Sequence, residues 1–195
     1  IYLDTVLDNL SRADSEREIA EIRDELEQGG YLKIKNKNKI KKEKSLPPIE
    51  FESSDGFKIL VGRNNIQNDI LTLKTAMNYD MWLHVQKHPG SHTVIIADKK
   101  EITETAIFEA ACIAAYYSKA KDSSSVAVDY TLIKNVKKPS GAKPGKVIYN
   151  TYNTIYVTPK KELIEKLMKE NEYIIIDVRL ICLTSFILGR WLMKI

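Results

Sequence analysis

The sequence is poor in the residues that staple or catalyse. Cysteine occurs twice, as Cys112 and Cys182, and no disulfide framework or thiolate zinc site can be read from the pair. Cys112 falls in an alanine-rich helical pattern, where a thiol ordinarily packs as a small hydrophobe. Neither a phosphate loop of the Walker type nor a dinucleotide fingerprint occurs. Ser91 stands beside His92 and His84, but PGSH lacks the strand–turn–helix context of a nucleophile elbow, and only Asp80 is at hand to orient a base. An enzyme is therefore not expected, and no cofactor is implied. The start, IYLDTVLDNL, has no basic segment leading into an apolar stretch, so no secretory signal is expected. The final YIIIDVRLICLTSFILGRWLMKI is apolar but interrupted by Asp177, Arg179 and Arg190, a poor fit to a membrane span.

What is present is charge, distributed unevenly. Lys+Arg exceed Asp+Glu by only 30 to 26, yet residues 1–30 hold nine acidic residues against three arginines. The positive excess therefore lies after Gly30, and an anionic partner should meet that part. With 44% hydrophobic residues in a chain of 195, one globular domain plus appendages is the natural expectation. Leu3, Leu7, Leu10, Ile19, Ile22 and Leu26 recur at three- and four-residue spacings, which predicts one helix over 1–28, stopped by Gly29 and Gly30. So narrow a stripe needs a partner helix or a second chain, so residues 1–30 read as the end of a coiled-coil arm, with self-association one outcome. Residues 31–48, YLKIKNKNKIKKEKSLPP, read as a basic linker: either a solvated tether or a polybasic arm that grips phosphates.

Residues 49–160 alternate between signals. Strands are expected at 57–62, 81–85, 92–97 and 125–133, with a hairpin in 147–157 turning near Asn153. Helices are expected from about Ile66 to Met77, capped by Asn64 or Asn65, and from about Thr103 to Ala120, with Ala106, Ala110, Ala111 and Ala114 forming a flat face. Few connections are long enough for parallel crossovers. The expected class is α+β: a mixed, mainly antiparallel sheet packed with two to three helices and preceded by a coiled-coil helix. Thr158 and Pro159 should open a last helix, making 161–195 a C-terminal helix and apolar tail whose role stays open.

Three segments could carry function. GRNNIQND, at 62–69, turns from strand to helix, so Arg63, Asn64, Asn65 and Asn68 either make a phosphate or ribose site or merely cap and turn. Asp69 could pair internally with a lysine. DMWLHVQKHPGSH, at 80–92, carries Trp82, His84, Ser91 and His92 around a Pro89–Gly90 turn. Its N–H groups could accept an anion and its rings could stack on a base, while a metal site is disfavoured because Pro89–Gly90 forbids a single helical face through the histidines. KNVKKPSGAKPGK, at 134–146, holds Lys134, Lys137, Lys138, Lys143 and Lys146. Tyr149, Tyr152 and Tyr156 follow it, setting stacking surfaces beside cations as in readers of single-stranded RNA.

The succession GRNNIQNDILT, DMWLHVQKHPGSHTVII, the lysine loop and YNTYNTIYVTP resembles the NFACT-R domain of ribosome quality-control factors often labelled fibronectin-binding protein A-like. The likeness covers roughly residues 46–160, and the acidic helix before it resembles the last stretch of that family's coiled-coil arm. The resemblance implies a cytoplasmic RNA-binding module of a factor that binds the large ribosomal subunit, its rRNA and tRNA, and promotes C-terminal tailing of stalled chains through tRNA recruitment. Arg63, Asn64, Asn65, Asn68, Asp80, Trp82, His84, Pro89, Gly90, Ser91 and His92 are the positions that match the family's motifs. The older label implies an alternative, a surface adhesin binding fibronectin or another matrix protein.

Overall fold

In Met81–Val85 the side chains alternate: Leu83 and Val85 enter one apolar cluster, while Trp82 enters another. The same two-residue period runs through the neighbouring strands, and the two faces of one sheet follow from it. The computed structural model describes residues 2–33 and 44–168. Strands β1 (Ile49–Glu52), β2 (Lys58–Val61), β3 (Met81–Val85), β4 (Thr93–Ile96) and β5 (Val126–Leu132) combine with β8 (Asn153–Val157) in the order β1-β2-β4-β3-β5-β8. Every neighbouring pair is antiparallel. The expected α+β class is thus the observed one.

One face is closed by α4 (Glu104–Tyr116). Thr103 caps it, its hydroxyl accepting the Ala106 N–H at 3.1 Å. Ala106, Ala110, Ala111 and Ala114 are fully buried, and these small side chains let the helix lie close over Ile59, Leu83, Ile95 and Val128. Cys112 is buried in the same layer, its thiol pushed up to about 11 by desolvation and by Glu109. The other face is covered by α3 (Asn65–Ile70), which continues as a π-helical turn over Leu71–Thr75. There Leu60, Leu71, Trp82, Val94, Ile133 and Val136 form a smaller core.

Three local expectations need correction. Residues 1–28 are two helices, α1 (Tyr2–Arg12) and α2 (Glu16–Gln28). Ser15 ends the first and caps the second, accepting the Glu18 N–H at 3.2 Å, while Glu18 accepts the Asp14 N–H at 2.8 Å. This reciprocal cap satisfies N–H groups that the start of α2 would otherwise leave without partners. Tyr2 then reaches Glu25 and stacks on Tyr31, ring centres 5.4 Å apart, so α1 folds back along α2. The expected hairpin in 147–157 does not form: β7 (Ile148–Tyr149) pairs with β6 (Val136–Lys137), whereas β8 pairs with β5. Last, α5 (Lys161–Leu167) begins after Lys160, and the Thr158 hydroxyl donates to the Ser124 carbonyl instead of capping it. No helix among the described residues is long and apolar enough to cross a membrane. The apolar tail and most of the basic linker lie outside the described residues.

Candidate nucleic-acid interface

Strand β3 and the turn after it bring three rings together on the face opposite α4. Trp82 and His84 lie parallel, with centroids 5.8 Å apart, and His92 stands edge-on to both, at 5.3 and 5.6 Å. Tyr149 from β7 closes the cluster, 4.7 Å from Trp82. Trp82 is 1% exposed and His92 2%, so both belong to the interior. His84 retains some surface, and its Nε2 donates to the Gly90 carbonyl at 3.3 Å.

The protonation state of His92 follows from its partners. A carbonyl only accepts, so Nε2–H donates to Gly145 O at 3.1 Å, and Nδ1 accepts from the Thr72 hydroxyl at 2.7 Å. Burial first, then the neighbouring His84, lowers its pKa to about 3. His84 is lowered too, mainly by desolvation. Both rings are thus neutral near pH 7 and act as hydrogen-bonding wedges. The adjoining hub is Asp129, which accepts from Tyr149 Oη at 2.7 Å and Thr154 Oγ1 at 2.6 Å. Sequence reasoning passed over Asp129, Thr72 and Gly145, because their partners are remote in the chain.

The Gly145 contact fixes the lysine loop. Asp69 accepts the Gly145 N–H at 3.1 Å and forms an ion pair with Lys138. Gly145 has φ of +76°, and a side chain there would run into Asn65 at 2.5 Å, so the sequence needs glycine at this point. Pinned on both sides, the loop leaves Lys134, Lys137, Lys143 and Lys146 exposed. None of these four has a carboxylate partner among the described residues. Lys143 rests over the Tyr31 ring, 4.9 Å from its centre. Tyr152 and Tyr156 are 47% and 70% exposed nearby in sequence.

The other two segments are spent on the fold. Arg63 pairs with Glu18 and also donates to Pro47 O at 2.9 Å. Asn64 donates to Glu21 at 3.2 Å, and Asn65 donates to Glu25 through Nδ2 at 2.9 Å and through its backbone N–H at 3.2 Å. Acidic α2 therefore lies on the turn that the sequence offered to an anion. Asn64 caps α3, accepting the Gln67 N–H at 2.9 Å. Asn68 is buried beneath Gly62, where its Oδ1 accepts the His92 N–H at 3.1 Å. Ser91 is 1% exposed and its N–H donates to Tyr117 O at 3.0 Å, while Gly90 bridges to Ser118. Of the N–H groups the PGS turn offered to an anion, that of Ser91 is therefore engaged by protein. Asp80 likewise holds backbone, accepting the Met77 and Ala97 N–H groups at 2.8 and 2.9 Å.

Comparison with known proteins bears on the same stretch. A family model described as the NFACT protein RNA binding domain matches residues 48–151. The Rqc2 homolog RqcH of Bacillus subtilis (strain 168) is 51% identical over 170 residues, covering 86% of this chain and 29% of the relative. The Rqc2 homolog RqcH of Streptococcus suis (strain 05ZYH33) is 42% identical over 168 residues, covering 86% and 30%. Among solved structures, the C-terminal part of the fibronectin/fibrinogen-binding protein from Streptococcus suis matches with a TM-score of 0.79 at 42% identity, over 87% of this chain and 67% of that one. The chain spans about 30% of the length of these curated relatives.

Proposed function

The chain belongs to the NFACT family, carrying its RNA-binding domain over residues 48–151, and from that membership we propose a non-catalytic module that grips the RNA of stalled large ribosomal subunits. Its targets in this reading are large-subunit rRNA and tRNA. The longer cytoplasmic protein would use the module while it recruits tRNA for C-terminal tailing. Residues 1–30 serve in this reading as the end of a coiled-coil arm: Leu3, Leu7 and Leu10 are 48%, 63% and 44% exposed along α1, a stripe suited to a partner helix.

One observation carries the RNA contact. The loop 134–146 presents four lysines without carboxylate partners among the described residues, on a backbone held by His92 and Asp69. Cations on a fixed loop neutralise phosphates and release counterions with little ordering cost, which is the main source of affinity for nucleic acid. Four such contacts imply that binding of tRNA or a large-subunit rRNA fragment weakens roughly fifty-fold between about 50 and 200 mM salt. Fluorescence anisotropy at the two ionic strengths measures this, and absence of binding at the lower one contradicts the proposal.

A second reading, attachment to a matrix protein, draws its support from the similarity to the fibronectin/fibrinogen-binding protein of Streptococcus suis. Surface plasmon resonance on immobilised fibronectin separates the two. Saturable binding there, with no response to RNA, favours the adhesin.

A further inference from the structure

A half-open cavity of about 670 Å³ lies where the end of α2, α3 with its π turn, and the lysine loop meet. Ile66, Ile70 and Leu73 wall it from α3 and the π turn, and Pro144 from the loop. Ile70 and Leu73 are 42% and 40% exposed there. Apolar side chains so placed gain by being covered, and the volume lies in the usual range for small-molecule sites of about 300–1,000 Å³.

The charges select what covers them. Glu25 and Asp69 also line the cavity, but each is engaged. Glu25 accepts from Tyr2 Oη and twice from Asn65, and Asp69 accepts from Lys138 and the Gly145 N–H. Lys74 and Lys143 are exposed with no carboxylate partner among the described residues, so the free charge of the rim is positive. Gln28, at the end of α2, adds an exposed amide that can both donate to and accept from a base edge. A neutral apolar peptide would leave both lysines uncompensated, and a bare phosphate would leave the apolar walls wet. A nucleotide satisfies both, having one flat apolar face and one anion.

We propose that this cavity takes one unstacked nucleotide of the bound RNA, its base against Ile70, Leu73 and Pro144 and its phosphate between Lys74 and Lys143. The inference rests on the RNA-binding reading and adds to it a defined subsite where the segment 62–75 meets the lysine loop and the end of α2. Single-stranded RNA would be preferred over duplex, because only an unpaired base can enter.

The test uses the whole chain, a single-stranded RNA oligomer, and a series of the same oligomer carrying one abasic nucleotide at each position in turn. Anisotropy should show a loss of about ten-fold at one position and near-constant affinity at the others. Leu73→Trp, which fills the cavity from an exposed position, should erase that difference. Ile70→Trp is the substitute if Leu73→Trp melts early. Lys74→Ala should lower the salt slope by about one phosphate. A flat abasic series, or a positional loss that survives cavity filling, overturns the subsite while leaving salt-dependent binding by the loop intact. If the unmodified chain binds no RNA at low salt, the RNA-binding reading fails first and the subsite with it.

Discussion

Arg63 and Lys143 are both cations on turns between regular elements, yet the molecule uses them differently. Around Arg63 the acidic α2 supplies Glu18, Glu21 and Glu25 in succession, so that arginine and its two asparagines become fasteners for the N-terminal hairpin. Around Lys143 the carboxylates at hand are already engaged, Asp69 by Lys138 and Gly145 and Glu25 by Tyr2 and Asn65. The remaining lysines keep their charge facing water. A basic residue therefore signals a partner outside the molecule only when the fold holds too few carboxylates to meet it.

The largest effect should come from removing that surplus. Replacing Lys134, Lys137, Lys143 and Lys146 together with alanine should weaken tRNA binding by about a hundred-fold at low salt and flatten most of its salt dependence. All four side chains are exposed, so the melting temperature should move by no more than about 2 °C. Titration and thermal melting of the same preparation check both halves.

Glu18→Ala attacks the other turn. It removes the cap on the Asp14 N–H and strands Arg63 in a partly buried position. The cost should be about 2 kcal/mol, less than for a fully buried pair because Arg63 keeps some solvent. Chemical denaturation measures it. The same variant sharpens the contrast, since Arg63 is then free of its carboxylate. If the arginine were an RNA contact held in check, affinity would rise and the salt slope would steepen by about one; an unchanged slope keeps it among the fasteners.

Acid should loosen the domain through His92. Its pKa is about 3 in the fold against roughly 6.5 in an open chain, so the unfolded state takes the proton more readily. The stability contributed by neutral His92 is fully present above about pH 6.5 and is lost as pH falls from there toward 3. At pH 5 the loss is about 2 kcal/mol, and depressed His84 acts in the same direction. Melting curves from pH 7.5 to 4.5 should show a steeper decline for the natural chain than for His92→Gln. Equal slopes would mean that protonation of His92 is not the source of the acid sensitivity.

Short-range signals made much of the fold legible. The alternation in MWLHV, the alanine face of α4, a cap for α3 at Asn64 or Asn65 and the burial of Cys112 are all written within a few residues of where they act. Ser15-x-x-Glu18 was equally local, but the leucine spacing across residues 1–28 masked it. The pairings that define the interface could not be read in this way. His92 meets Gly145, Lys138 meets Asp69, and Glu25 meets Asn65 over separations of 53, 69 and 40 residues. Periodicity holds no information on such contacts, and side chains that look reactive in sequence, Trp82 and Ser91 among them, turn out to be packed.

Arg63→Ala carries the smallest expected effect and is the most direct probe of the contrast. The guanidinium gives up its ion pair to Glu18 and its hydrogen bond to Pro47 O, both at the edge of the hairpin. Its side chain is 24% exposed, so screening holds the loss of stability to about 1 kcal/mol. RNA affinity should change by less than about two-fold, with the salt slope unaltered, because no phosphate contact is removed. A charge lost from the lysine loop should do the opposite, lowering the slope by about one at constant melting temperature. The pair of variants, Arg63→Ala and Lys143→Ala, thus separates cations by what answers them: one change is read in the melting curve, the other in the salt titration. A reversal of the two readouts would move the interface to the turn at 62–69 and make acidic α2 a cover over it.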